Sequence, residues 1–132
     1  MERTLLIVKP DAVKKKLIGK IITELEENRF QIEGIRMKRF SREEAERFYG
    51  VHRGKEFYEK LVEFITSGPV VGILLRGEGV IEKTRELIGA TDPEKARVGT
   101  IRYRYGENIT QNAVHASDSP DTAGFEIPFF FD

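Results

Sequence analysis

The stretch Thr4-Leu5-Leu6-Ile7-Val8-Lys9-Pro10-Asp11 decides how the rest of the chain is read. Its first residues are apolar or β-branched without alternation, the pattern of a strand buried on both faces. Lys9-Pro10 ends it, because proline lacks the N–H that a sheet ladder needs, yet its fixed φ suits the first turn of a helix. Ile18, Ile21, Ile22 and Leu25 follow at helical spacing, so a helix is expected to run on from Pro10. A buried strand feeding directly into a helix implies a sheet with helices packed against it.

Further along, Phe30 to Phe40 reads as a second strand, with Ile35 and Met37 on one face between charged neighbours. Ser41 and Glu44 form a capping box that starts a helix through Phe48-Tyr49. Another helix fits Lys55 to Ser67, its apolar side made by Phe57, Leu61, Phe64 and Ile65, and Gly68-Pro69 stops it. Val70-Val71-Gly72-Ile73-Leu74-Leu75 is a third buried strand. Gly77 to Leu87 reads as helix and Gly89 to Asn112 as an irregular loop rich in Arg, Gly, Thr and Tyr. Ala113-Val114-His115 gives a short fourth strand, and Ser119-Pro120-Asp121 opens a last helical turn. A loop that long inside a compact domain usually serves function. The order βα-β-αα-β-α-β predicts an α+β fold, a ferredoxin-like sandwich with a four-stranded antiparallel sheet flanked by helices, in one domain over residues 1–132.

Composition narrows the function. The longest uncharged stretch, Phe64 to Leu75, falls far short of the ~20 apolar residues that span a bilayer. No charged n-region with an apolar segment opens the chain, so a cytoplasmic protein is expected. Without cysteine there is no disulfide, thiolate nucleophile or zinc–thiolate site. The 22 basic and 22 acidic residues cancel. No global field therefore draws nucleic acid or membrane, and any anion site must be a local cluster.

Gly77-Glu78-Gly79 follows a strand, but Glu82 stands where a dinucleotide fingerprint needs its third glycine, and no G-x-x-x-x-G-K-[ST] loop exists. Lys14-Lys15-Lys16 reads as a solvated helix face rather than a phosphate patch. His52 and His115 remain, neither with the spacing of a metal-ligand set. Taken alone, His115 suits a half-buried core histidine, but its surroundings favour chemistry. Ser117 lies two residues on, and Glu126 sits beyond one short helix, from where a carboxylate can return to the ring. A histidine oriented through one nitrogen presents the other as a nucleophile. The helix and loop before it carry Arg85, Thr91, Arg97, Arg102 and Arg104, donors suited to a transferring phosphate.

Five blocks then carry a resemblance: Lys9-Pro10-Asp11-Ala12-Val13, Thr66-Ser67-Gly68-Pro69-Val70-Val71, Gly89-Ala90-Thr91-Asp92-Pro93, Gly99-Thr100-Ile101-Arg102 and Asn112-Ala113-Val114-His115-Ala116-Ser117-Asp118-Ser119. In this order they closely resemble nucleoside diphosphate kinases. The resemblance implies ping-pong transfer of a terminal phosphate from a nucleoside triphosphate to a diphosphate through phosphohistidine. By that resemblance, His115 is the nucleophile, Lys9 and Asn112 bind the ribose hydroxyls, and Lys9 also lies near the transferred phosphate. Arg85, Thr91 and Arg102 hold the phosphates, while Phe57 and Ile109 flank the base. Glu126 and Ser117 orient the ring, and Tyr49 lines the site near Lys9. Magnesium is expected on the nucleotide phosphates without a firm protein ligand. A homo-oligomer is expected, hexamer before tetramer. Tyr103-Arg104 departs from the small residue and acid common in the family, and Pro128 follows Glu126 closely. An RNA-binding reading rests on Arg102-Tyr103-Arg104-Tyr105, which interleaves cations and aromatics. The aromatic pattern of an RNA-recognition sheet is missing, however, and an inert relative would have lost the histidine or the lysine.

Overall fold

The computed structural model describes residues 2–131. Strand β1 (Glu2–Val8) leads into helix α1 (Pro10–Lys14) and helix α2 (Ile18–Glu27). Strand β2 (Gln31–Lys38) follows, then α3 (Arg42–Phe48), a 3₁₀ turn at Gly50–His52, and α4 (Tyr58–Ile65). Next come β3 (Val70–Gly77), α5 (Val80–Ile88), a 3₁₀ turn at Pro93–Lys95, α6 (Ile101–Tyr105), β4 (Val114–Ala116), α7 (Pro120–Glu126) and a 3₁₀ turn at Ile127–Phe129. The sheet order is β2-β3-β1-β4. Every neighbouring pair is antiparallel, which is the expected ferredoxin-like arrangement.

Alternation in the two central strands divides the core. Leu6, Val8, Val71, Ile73 and Leu75 face α1, α2, α5 and α6, whereas Leu5, Ile7 and Val70 face Phe48, Val62, Ile65 and Phe130. The Phe130 ring lies directly on Gly72, where a Cβ would sit 2.4 Å from a ring carbon, so β3 needs glycine there. Among the described residues, no helix is long and apolar enough to cross a membrane.

Four sequence expectations change in detail. The single helix after β1 is two, because Lys16 takes φ 64° and turns the chain so that Leu17 inserts into the core. On α4 the buried residues are Tyr58, Val62 and Ile65. Phe57 precedes the helix and is 41% exposed, so apart from Ile65 the buried face runs one residue later than the spacing predicts. Gly79 adopts φ 61° before α5, which separates Gly77, still in β3, from the helix. The long loop hides α6, capped by Thr100, whose hydroxyl accepts the Tyr103 N–H. That helix buries Ile101 and Arg102, so a guanidinium occupies a position where periodicity looks for an apolar side chain.

Candidate active site

Strand β4 pairs with β1 so that Ile7 lies opposite His115. Val114 and Ala116 point into one core layer, and His115 projects to the other side, its ring edge-on to Phe48 at 5.2 Å. Helix α7 begins at Ser119, whose side chain accepts the Thr122 N–H, with Pro120 in its first turn. At its end the chain delivers the buried Glu126 carboxylate to the ring. Both carboxylate oxygens lie 3.0 Å from His115 Nε2. Ser117 Oγ donates to Glu126 Oε1 at 2.6 Å. Ser117 thus steadies the carboxylate rather than touching the imidazole. A carboxylate accepting from Nε2–H fixes the tautomer in which Nδ1 carries the lone pair. Nδ1 has no hydrogen-bond partner among the described residues. Pro128 does not divert this segment, because it sits at the start of the Ile127–Phe129 turn, after Glu126 has been placed.

His115 opens into a cleft of about 810 Å³ lined by Lys9, Tyr49, Phe57, Arg85, Thr91, Arg102, Ile109, Asn112 and Glu126, so nearly all the expected site residues meet there. Ser117, buried behind Glu126, supports the cleft without lining it. Lys9, at the junction of β1 and α1, sends Nζ to the Thr110 carbonyl at 2.7 Å and to Asn112 Oδ1 at 3.0 Å. Asn112 Nδ2 donates in turn to the carbonyls of Thr91 and Ile109. Arg102 donates to the carbonyls of Gly89 and Val114. Burial, with Arg85 nearby, pulls its pKa down to about 10, and its Nε is buried without a partner. Arg85 reaches the Ala116 carbonyl at 3.3 Å. Phe57 and Ile109 are 41% and 59% exposed, apolar surface left open to the cleft. Burial and the Glu126 charge push the Tyr49 phenol up, so it stays a neutral donor.

Burial also lowers Lys9 from 10.5 to about 8, with Asp11 opposing the shift and Arg102 adding to it. Between those two values the folded chain holds fewer protons than the unfolded one, so stability gains from rising pH across that window. Ligand binding responds the other way, since an anion needs the ammonium. The KM for an anionic substrate held by Lys9 should be flat below about pH 7.5 and rise above pH 8 by up to roughly tenfold per unit. Initial rates from pH 7 to 9.5 check this, and a flat KM to pH 9.5 would exclude a titrating Lys9.

Arg97 and Arg104 do not line the cleft. Arg104 pairs with Glu24 at 2.8 Å and lies over the Tyr105 ring, so it is engaged outside the cleft. Lys15 pairs with Glu107, consistent with a solvated lysine run. Sequence reasoning gave His52 no role, and missed Phe48, Thr110, Asp118 and Asp121 in the cleft wall. Only the aspartates had a signal, their position beside Ser117 and in the first turn of α7. Among the described residues no three acidic or histidine side chains converge into a metal site. The Asp118 and Asp121 carboxylates in the cleft wall are oxygen donors of the kind magnesium accepts.

A fixed imidazole that shares a cleft with Lys9, Arg85 and Arg102 has the makings of a site that receives phosphoryl groups. The nucleoside diphosphate kinase family model matches residues 2–132. Similar proteins of that description include one from Persephonella marina, 49% identical over 99% of this chain and 94% of the relative. Another, from Campylobacter jejuni, is 52% identical over 99% of this chain and 96% of the relative. The solved Aquifex aeolicus nucleoside diphosphate kinase superposes with a TM-score of 0.93 at 50% identity, covering 97% of this chain and 93% of that one. A halophilic nucleoside diphosphate kinase from Halobacterium salinarum, in complex with CDP, gives 0.95 at 42% identity over 99% and 88%. The chain belongs to the nucleoside diphosphate kinase family, whose members transfer terminal phosphates between nucleotides.

Proposed function

We propose that residues 1–132 form one catalytic domain that carries out this transfer by a ping-pong route through His115. The observation that supports it most is the Glu126–His115 contact, made through Nε2 and leaving Nδ1 free on a ring that shares its cleft with Lys9, Arg85 and Arg102. In the first half-reaction the Nδ1 lone pair forms the N–P bond to the terminal phosphorus, and the P–O bond to the bridging oxygen breaks. That electron pair leaves with the diphosphate. The second half-reaction reverses these events on another diphosphate. As the ring becomes cationic, Glu126 stabilises the charge while Nε2 keeps its proton. Lys9, Arg85, Thr91, Arg102 and the Tyr49 hydroxyl hold the phosphate oxygens, and Asn112 with Lys9 holds the ribose hydroxyls. Magnesium, bound mainly through the phosphates, supplies charge neutralisation there. Incubation with γ-labelled triphosphate should leave an acid-labile, base-stable label on the protein. Failure to label under turnover conditions would sink the route.

The reaction should barely distinguish bases, so that triphosphates of adenine, guanine, cytosine and uracil should all serve. Phe57 and Ile109 offer no donor or acceptor, and a π face stacks on any base. The four kcat/KM values should fall within roughly thirtyfold, which is only ~2 kcal/mol, with purines favoured. Phe57→Ala should weaken all four by about 1–3 kcal/mol. A thousandfold preference in steady-state kinetics would demand a polar reader other than Phe57 and Ile109.

Assembly into a homo-oligomer, a hexamer before a tetramer, is supported by β2. It is an edge strand whose Ile35 and Met37 are 50% and 55% exposed, and an uncovered apolar edge calls for a partner. Light scattering at micromolar concentration should give six subunits, and a monomer would reject assembly. We place the protein in the cytoplasm, with its nucleotide substrates.

A further inference from the structure

Asp11 is a buried carboxylate that the transfer chemistry does not use. It lies in the first turn of α1, and its Oδ2 accepts the Ala113 N–H at 3.0 Å. The Ala113 carbonyl accepts the Lys9 N–H at 2.9 Å, so one short segment grips this residue from both sides. The backbone it grips is strained. Ala113 has φ 74°, and the Val114 N–H donates to the Asn112 carbonyl at 2.9 Å across it, the form of γ-turn that L-residues avoid. The other non-glycine residues with positive φ, Lys16 and Arg29, follow helix ends, where such conformations are common. Ala113 instead joins Asn112, which receives the Lys9 ammonium, to the strand that carries His115. Relaxation to negative φ would rotate the peptides on either side and swing one of these groups away from the other.

We propose that Asp11 is a positioning residue for phosphoryl transfer: by accepting the Ala113 N–H, it holds the left-handed turn that keeps Asn112 on Lys9 and His115 on Glu126. The proposal rests on His115 being the phosphate acceptor. Asp11 touches no substrate; its charge also helps keep Lys9 protonated, an effect removed by working below pH 7, and the rest of its effect passes through the 112–114 backbone. Two features separate it from ordinary core packing. The contact needs only an acceptor at Oδ2, because Oδ1 is buried without a partner. The strain it resists disappears if residue 113 has no Cβ.

Single-turnover labelling of the full chain with γ-labelled triphosphate, alongside thermal melts, tests this. Wild type must label at His115; if it does not, the reading of His115 itself falls. With wild type labelling, Asp11→Ala should lower the saturated rate roughly tenfold to hundredfold, as misplacement near an ångström does. Asp11→Asn keeps an acceptor and should stay within about threefold of wild type in rate, although its buried amide donor lowers the melting temperature. Adding Ala113→Gly to Asp11→Ala should recover most of the lost rate, since glycine takes φ 74° without a grip. Equal rates in wild type and Asp11→Ala, equal damage from Asn and Ala, or no recovery by glycine would each overturn the proposal. Should Asp11→Ala fail to fold, Asp11→Asn decides: a near-wild-type rate supports the acceptor role, and a tenfold loss in folded protein overturns it.

Discussion

His115→Ala is expected to abolish both labelling and transfer, while His52→Ala keeps both, although the two rings line one cleft. What separates them is what stands behind each ring. His115 has Glu126 on Nε2, so its tautomer is fixed before substrate arrives. His52 makes no ion pair with a carboxylate among the described residues, and its Nδ1 is buried without a partner. Burial, then the charges of Lys55 and His115, hold its pKa below the usual histidine value. It is therefore held neutral, packed against Tyr49 and Phe57, and no carboxylate among the described residues stands behind the ring to meet a cation forming on it. Phosphorus NMR of the labelled wild-type chain should place phosphate on Nδ1 of a single histidine. Labelling that survives His115→Ala would refute the mechanism.

Glu126→Gln should lower turnover by roughly one to two orders of magnitude, a loss near 1.4–2.7 kcal/mol of transition-state stabilisation. Glutamine keeps the shape of the side chain and can still accept from Ser117, so packing is largely preserved. What it removes is the negative charge facing the imidazole as the ring becomes cationic. The amide also pits two possible donors against Nε2–H, which weakens the hold on the tautomer. Ser117→Ala should do less harm, because its hydroxyl reaches only the carboxylate. Coupled steady-state assays distinguish these cases. Unchanged turnover in Glu126→Gln would mean that another group orients the ring.

Most of the architecture was legible because its signals were local. The apolar runs of β1 and β3, the Ser41–Glu44 box and the stop at Gly68-Pro69 lie within short windows and are seen in the structure. Misreadings occurred where tertiary contacts overrode the local pattern. Periodicity alone would carry one helix from Pro10 to Leu25, yet burying Leu17 turns the chain at Lys16. Helix α6 escaped because it buries Arg102 for its hydrogen bonds to Gly89 and Val114. The Glu126 reach to His115 was readable as a possibility from spacing, since a short helix can return a carboxylate to a preceding strand. The Lys9–Asn112 contact joins residues 103 apart, and no local pattern carries such a pairing. Its partners were named through the resemblance.

The two carbonyl bonds of Arg102 have a kinetic consequence. With one guanidinium nitrogen tied to Gly89 and the other to Val114, the phosphate-facing wall is braced from behind and assembled before any nucleotide enters. On the proposed ping-pong route, donor and acceptor would meet the same preassembled groups in turn, and neither half-reaction would have to rebuild the cleft. Like any catalyst, such a site would give no direction to the chemistry. With little choice among bases, phosphate would pass toward whichever diphosphate is in excess, drawing the ratios of triphosphate to diphosphate across different bases toward a common level.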